Sequence, residues 1–454
     1  MNKERSTNNS KRKGKKMFTN QLSDFKNAFF IGIGGISMSG LAEVLASEKI
    51  RVSGSDQSAS SVTEHLNQFG ITTYIGHDEK HIDTSIDLVV YTAAVKSDNP
   101  ELVKSRKLGI RIMERAELLG LIMSCYQHSI AVSGTHGKTT TTSMLSNVML
   151  AADLDPTISV GGILNAIQSN FRLGSSEYFI TEACEYNNSY HHFFPTIAII
   201  LNIEHDHPDF FPTLDDVFIS FRQFIETIPK NGCCILNDSI DRISYLTEGM
   251  DIDFITVGQK PDSNYSFSDL TFNDQGYASY TLQIDGVPSQ KITLSATGLH
   301  NVTNSLAVIA TAMRLGVPLE TIAKSLAGFS GVKRRFEYKG SFQGVRVFDD
   351  YAHHPTEILA TIEAAKKLSY HRMWIVFQPH TYSRTKSLYP EFVEALSHGE
   401  KIIITDIYSA RELDLGEIHS RAFVNSLGKL GKDIVYIADF DEIEKYLLQE
   451  CVPN

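Results

Sequence analysis

Residues 134–143 read GTHGKTTTTS, a glycine loop running into a lysine and four threonines. The common phosphate loop places four residues between its first glycine and Gly-Lys-Ser/Thr. Here only Thr135 and His136 separate Gly134 from Gly137. The flanks decide the reading. SIAVSG, residues 129–134, has the composition of a buried strand, and TTTTSMLSNVMLAA, residues 139–152, continues as a helix. Strand, glycine loop and Lys-Thr at a helix start are the context of a phosphate site, because the first N–H groups of a helix lack intrahelical partners. Gly134, Thr135, His136, Gly137, Lys138, Thr139 and Thr140 are therefore expected to cradle phosphates. Lys138 supplies a mobile charge and Thr139 a hydroxyl ligand for Mg²⁺. A run of small capping residues is the plainer explanation. Consecutive β-branched residues form helix poorly, however, so propensity does not account for the threonines.

Outward from this loop, strand-like runs alternate with helical patterns, which predicts an α/β fold with parallel sheets. AFFIGIGG (28–35), RVSGSD (51–56) and DLVVYTAAV (87–95) read as strands, SMSGLAEVLASE (37–48) and AELLGLIM (116–123) as helices. Beyond the loop come YFITEACE (178–185) and TIAIILNIE (196–204). Residues 264–295 alternate around the turns NDQG and DGVP, an antiparallel ribbon. A last unit follows GFSGVKRRFE, with strands near VRVFDD, MWIVFQ, KIIITD and DIVYIA.

At about 150 residues per domain, 454 residues suggest three domains. No apolar run approaches the ~20 residues of a membrane helix. The five cysteines form no CxxC pair and read as reduced thiols of a cytoplasmic protein. MNKERSTNNSKRKGKKM carries seven basic residues and one acidic, net +6, so the other 437 residues carry −17 of the total −11. An acidic body argues against nucleic acid. The basic stretch, residues 1–19, is expected to be a disordered tail, with residues 1–16 dispensable for catalysis and Met17 an alternative start.

Two segments place acids at strand ends: TEACEYNNSY (181–190) and LNIEHDHPDFF (201–211). Carboxyl ends of parallel strands line the ligand crevice, which gathers Glu182, Glu185, Glu204, Asp206 and His207 near the phosphates. Oxygen donors with one imidazole suit Mg²⁺ or Mn²⁺ better than zinc. In the first unit, GIGGIS offers Gly32, Gly34 and Gly35, with Ser37 where a dinucleotide fingerprint wants glycine. With Asp56 at the next strand end, this turn fits a dinucleotide or a UDP-sugar equally.

GTHGKTTTT, EACE, NIEHDH, GLHNVTNSLAV, RRFE and DDYAHHPTE occur in the order of the Mur ligase family, and the chain resembles that family from about Asn27 to near its C-terminus. The short loop is that family's form of the phosphate loop. GIGGISMSGLA, PHTYSRT and DIYSARE resemble the member that takes L-alanine more than its sisters. The resemblance implies three domains: a Rossmann-like UDP-substrate domain (20–123), a central P-loop ATPase (124–331) and a Rossmann-like amino-acid domain (332–454). It implies an ATP-dependent ligase acting on UDP-N-acetylmuramate and L-alanine through an acyl phosphate, as a monomer or homodimer. The alternative is a sister ligase that adds a preformed peptide.

The resemblance also implies roles. Lys138 stabilises the transferring phosphoryl group, Thr139 and Glu182 hold one Mg²⁺, and His207 holds a second metal. Asn301 and Asn304 match the adenine-site asparagines and Arg335 the nucleotide-contacting arginine. Gly32, Gly34, Gly35, Ser37 and Asp56 are assigned to UDP. Tyr351, His353, His380 and Arg384 surround the amino acid, with His353 and Arg384 catalytic beside Lys138. Arg384 has the planar fork that a free α-carboxylate calls for; its plainer role is a surface ion pair. Asp349 or Asp350 either accepts the amine proton or caps the helix starting at HPTE. Removal of Lys138, a loop residue, is expected to leave folding nearly unchanged.

Three features depart from the family pattern. Residues 207–229 lack the lysine that several relatives carbamylate, Cys184 replaces a common aspartate, and the chain stops at CVPN. That stop predicts a truncated third domain or an uncovered edge strand.

Overall fold

The computed structural model describes residues 21–451 apart from Ala93 and Arg411. The basic tail, residues 1–19, and residues 452–454 lie outside the described residues. No helix among those described is long and apolar enough to cross a membrane.

The N-terminal unit is a five-stranded parallel sheet in the order Thr72–Ile75, Arg51–Asp56, Asn27–Ile31, Leu88–Tyr91, Arg111–Glu114. Asn27–Ile31 is central because its residues 28–31 are buried on both faces. Gly32 follows with φ +82, a left-handed turn that favours glycine, and the chain enters helix Ile36–Ser47. The strands Thr72–Ile75 and Arg111–Glu114 escape the sequence reading. Both have four residues and a mostly unburied pattern, so no apolar run marks them.

The central unit is a ten-stranded sheet. His128–Ser133, which feeds the glycine loop, lies between Ile197–Ile200 and Tyr178–Glu182 and is parallel to both. This adjacency positions the site: the neighbouring strands end in Glu182 on one side and in the 201–207 segment on the other. The expected antiparallel ribbon is present as Tyr265–Phe272, Tyr277–Ile284 and Val287–Thr297, at one edge of the same sheet. Helix Lys138–Ala151 packs against Leu299–Arg314, and Thr139, Thr141 and Thr142 are buried. Tertiary burial therefore overrides the poor helix propensity of the threonines.

In the third unit, Trp374–Phe377, Lys401–Ile404 and Asp433–Tyr436 form a parallel sheet. VRVFDD does not join it. Val345–Asp349 pairs antiparallel with Glu337–Phe342. The turn between them is Gln343–Gly344, both at positive φ (46 and 82), the backbone of a two-residue hairpin. Gln-Gly is a weaker hairpin signal than Asn-Gly, which hides it in the sequence. Asp433–Tyr436 is an edge strand among the described residues. Helix Pro355–Ala365 is capped by His354, whose Nδ1 accepts from the Thr356 N–H, and by neither Asp349 nor Asp350. Asp350 instead accepts from the N–H groups of Phe336 and Ala352.

Candidate active site

The glycine loop is held from the strand beside it. Asn202 Oδ1 accepts from the His136 N–H at 2.7 Å, and Asn202 Nδ2 donates to the His136 carbonyl at 3.1 Å. The Glu204 N–H donates to Thr135 Oγ1 at 2.9 Å. Gly134 and Gly137 have φ of +136 and +84, so both need glycine's freedom. A Cβ on Gly137 would also stand 3.1 Å from Asn304 Nδ2.

Lys138 turns back over the loop. Its Nζ donates to the Gly134 and Thr135 carbonyls and to Glu185 Oε2, the last at 2.9 Å. Burial opposes its charge, but the Glu185 carboxylate beside it holds the ammonium above its usual range. Glu182 accepts from Thr139 Oγ1 at 3.1 Å and from the Gly161 N–H. Burial pushes its carboxyl upward. Glu185, Asp206 and His207 form a second group, with His207 Nε2 at 3.7 Å from Glu185 and 3.6 Å from Asp206. A hydroxyl, three carboxylates and one imidazole fit a hard divalent cation such as Mg²⁺ or Mn²⁺. Cys184 is exposed.

Beside the loop lies a cavity of about 1350 Å³ lined by Gly137, Thr140, Asn301, Asn304, Arg335 and others. Asn301 and Asn304 stand in the first turns of Leu299–Arg314, and Asn304 Nδ2 donates to Asn301 Oδ1 at 3.1 Å. Arg335 Nη2 reaches Thr139 Oγ1 at 3.5 Å. A second cavity, about 170 Å³, is lined by His207, Tyr351, His353, His380 and Arg384 among others. The structure thus brings four of the amino-acid candidates together against His207. Arg384 is no surface pair. It is 4% exposed, and its Nε and Nη2 donate to Asp206 at 2.8 and 3.3 Å. Its Nη1 donates to His380 Nδ1 at 3.1 Å. His353 Nδ1–H donates to the Tyr351 carbonyl at 2.8 Å, which leaves the ring lone pair on Nε2.

At the N-terminal turn, Asp56 Oδ2 accepts from the Gly34 N–H at 2.9 Å, so Asp56 braces the turn itself. Ser37 Oγ accepts from Arg115 Nη1 at 3.1 Å. Arg115, which sequence reasoning misses, brings a cation to the start of Ile36–Ser47. Glu357 is likewise missed: it accepts from the His353 N–H at 3.0 Å and faces His136 Nδ1 at 3.3 Å. Nothing in the spacing of either residue signals a site.

Three family models cover nearly the whole chain: Mur ligase family, catalytic domain, at residues 28–127; Mur ligase middle domain at 132–312; and Mur ligase, glutamate ligase domain, at 334–454. The chain belongs to the Mur ligase family. It is 50% identical over 433 residues to a UDP-N-acetylmuramate–L-alanine ligase of Lachnospira eligens, covering 94% of each chain. Among solved structures it is similar to the UDP-N-acetylmuramate–alanine ligase of Thermotoga maritima, with TM-score 0.75, 28% identity and 92% of each chain covered. A murein peptide ligase from Psychrobacter arcticus gives TM-score 0.71 at 26% identity over 94% of each chain. The family's three-unit α/β architecture is the one described above.

Proposed function

We propose that this Mur ligase joins L-alanine to the carboxylate of UDP-N-acetylmuramate at the expense of ATP, a cytoplasmic step of cell-wall precursor synthesis. The observation that carries this reading is 50% identity, over 94% of both chains, to a ligase of that name. The units are taken to divide near residues 123/124 and 331/332. The substrate carboxylate attacks the γ-phosphorus of ATP, the β–γ bridging bond breaks, and ADP leaves. The amine of L-alanine then attacks the acyl phosphate, an amide forms, and inorganic phosphate departs.

Such transfer needs charge neutralisation and in-line positioning more than covalent help. Lys138, on the glycine loop, neutralises charge on the transferring group. Thr139 with Glu182 would hold one Mg²⁺, and His207 a second, where the ions offset phosphate charge. Asn301, Asn304 and Arg335 bind the nucleotide in the larger cavity. Gly32, Gly34, Gly35, Ser37 and Asp56 take the UDP moiety, with Arg115 added. His353, its Nε2 lone pair open, takes a proton from the amine in the smaller cavity, where Tyr351, His380 and Arg384 complete the wall. The smaller cavity, about 170 Å³, has room for a free small amino acid, and the ligases most similar over nearly the whole chain favour L-alanine over the preformed-peptide alternative.

Phosphate release is measured with ATP, Mg²⁺ and UDP-N-acetylmuramate, with no amine, with L-alanine and with a tripeptide. Release dependent on L-alanine is expected. Equal rates without any amine point to a plain ATPase, and preference for the tripeptide points to the sister activity.

A further inference from the structure

Apart from the groups around Lys138, the described residues hold one other cluster of metal-ligating atoms: His136, Glu204 and His354. His136 belongs to the glycine loop, Glu204 to the segment after Ile197–Ile200, and His354 to the cap of helix Pro355–Ala365. Two ligands thus come from the central unit and one from the third. His136 Nε2 stands 3.4 Å from Glu204 Oε2, and His354 Nδ1 stands 3.9 Å from the same oxygen. All three atoms lie within 4.8 Å of one another. Zinc bonds of about 2.0–2.2 Å put neighbouring tetrahedral ligands roughly 3.3 Å apart, so small side-chain shifts close the set.

The outer nitrogens are arranged as ligating histidines require. A metal-bound imidazole almost always directs its other ring nitrogen at a carboxylate or a backbone carbonyl. His136 Nδ1 faces Glu357 Oε1 at 3.3 Å, and His354 Nε2–H donates to the His205 carbonyl at 3.4 Å. The inner Nε2 of His136 is buried and has no hydrogen-bond partner. Its contact with Glu204 is within reach but poorly aligned. The inner Nδ1 of His354 accepts only the 3.3 Å cap contact from the Thr356 N–H, which a metal would displace.

The competing occupant is a proton. Burial opposes charge on His136, but Glu204 and Glu357 outweigh it and push the imidazole up to about 9. The same two carboxylates would balance a divalent cation once that proton leaves. Two imidazoles and one carboxylate select borderline transition metals over Mg²⁺.

We propose that His136, Glu204 and His354 form a binding site for a zinc-class divalent ion, separate from the phosphate-site metals. Bound there, the ion ties the third unit to the glycine loop. The binding itself does not rest on the ligase reading.

The test adds Co²⁺ alone to the full chain, without nucleotide or Mg²⁺, and follows the visible d–d bands of a low-coordinate cobalt site. Saturable bands that Zn²⁺ abolishes are expected for the wild type and for His207→Ala. His354→Ala and the conservative Glu204→Gln should each lose them while keeping the wild-type circular dichroism spectrum. Absence of saturable bands in the wild type overturns the site. So does their persistence in a folded Glu204→Gln chain, or their loss in His207→Ala, which would place the metal beside Lys138. If His354→Ala does not fold, Glu204→Gln decides alone.

Discussion

At the scale of single residues, Lys138 shows why a loop position is not an isolated one. Its ammonium lies against Glu185, whose side chain is 2% exposed. If Lys138 has the proposed role, Lys138→Ala should lower turnover on the order of 10²-fold, because the charge would act where phosphoryl charge develops. Contrary to the sequence expectation, it should also destabilise the fold, on the order of 3 kcal/mol, by stranding a buried carboxylate. Thermal denaturation of the purified variant checks this; an unchanged midpoint would mean that Glu185 relaxes to solvent. Two histidines set opposite pH limits. His136, pushed up to about 9, contributes stability that is full below its unfolded value near 6.5 and lost as pH rises through 9. His354 is 5% exposed and pushed down to about 4, by burial first and His136 second. Its contribution is present above about 6.5 and lost as pH falls through 4. Stability should therefore peak near neutrality. In His136→Gln the alkaline decline between pH 7 and 9 should flatten; a curve parallel to the wild type sinks the assignment.

At the scale of elements, helix Arg115–Met123 carries Gly120 against the Tyr186–His192 segment. Alanine is normally better than glycine inside a helix by about 1 kcal/mol. Here an added Cβ would stand only 1.8 Å from the His192 carbonyl oxygen, which is backbone and cannot swing aside. Gly120→Ala should therefore destabilise, by roughly 2 kcal/mol as overpacking does. It should also lower activity, since the displaced segment begins beside Glu185. A stabilised Gly120→Ala variant would show that the segment yields freely. What the sequence makes legible follows the same physics. The glycine loop, its flanking strand and helix, and acids at strand ends are local signals, and parallel topology brings them together. Arg115 and Glu357 are not legible, because each works through a distant partner: Arg115 reaches Ser37 across 78 residues, and Glu357 reads as an ordinary first-turn acid. The helix cap is misread because histidine is not among the usual N-cap residues.

At the scale of the molecule, three consecutive residues join the central unit to the third. Glu204 Oε2 accepts from Thr356 Oγ1 at 2.6 Å, the His205 carbonyl accepts from His354 Nε2–H at 3.4 Å, and Asp206 takes the fork of Arg384. The next residue, His207, faces Glu185 and through it Lys138. One short segment therefore links the glycine loop to the smaller cavity, the proposed amino-acid site, and the geometry of that cavity depends on docking. Burial opposes ionisation of Asp206, but His207 and Arg384 hold its carboxyl far below the usual range, so the pair is fully charged at neutral pH. Two readings of Arg384 then diverge. If Asp206 is chiefly a clasp, Asp206→Asn loosens the third unit, enlarges the radius of gyration in solution scattering and raises KM for L-alanine about tenfold, roughly the 1.4 kcal/mol of one weakened charged contact. If Asp206 chiefly competes with the substrate carboxylate for Arg384, the same change frees the fork and lowers that KM at constant dimensions. The first outcome is expected, because both partners are almost fully buried and removing either charge leaves the other uncompensated. A tighter KM with unchanged scattering would instead assign Asp206 to the substrate's place in the apo enzyme.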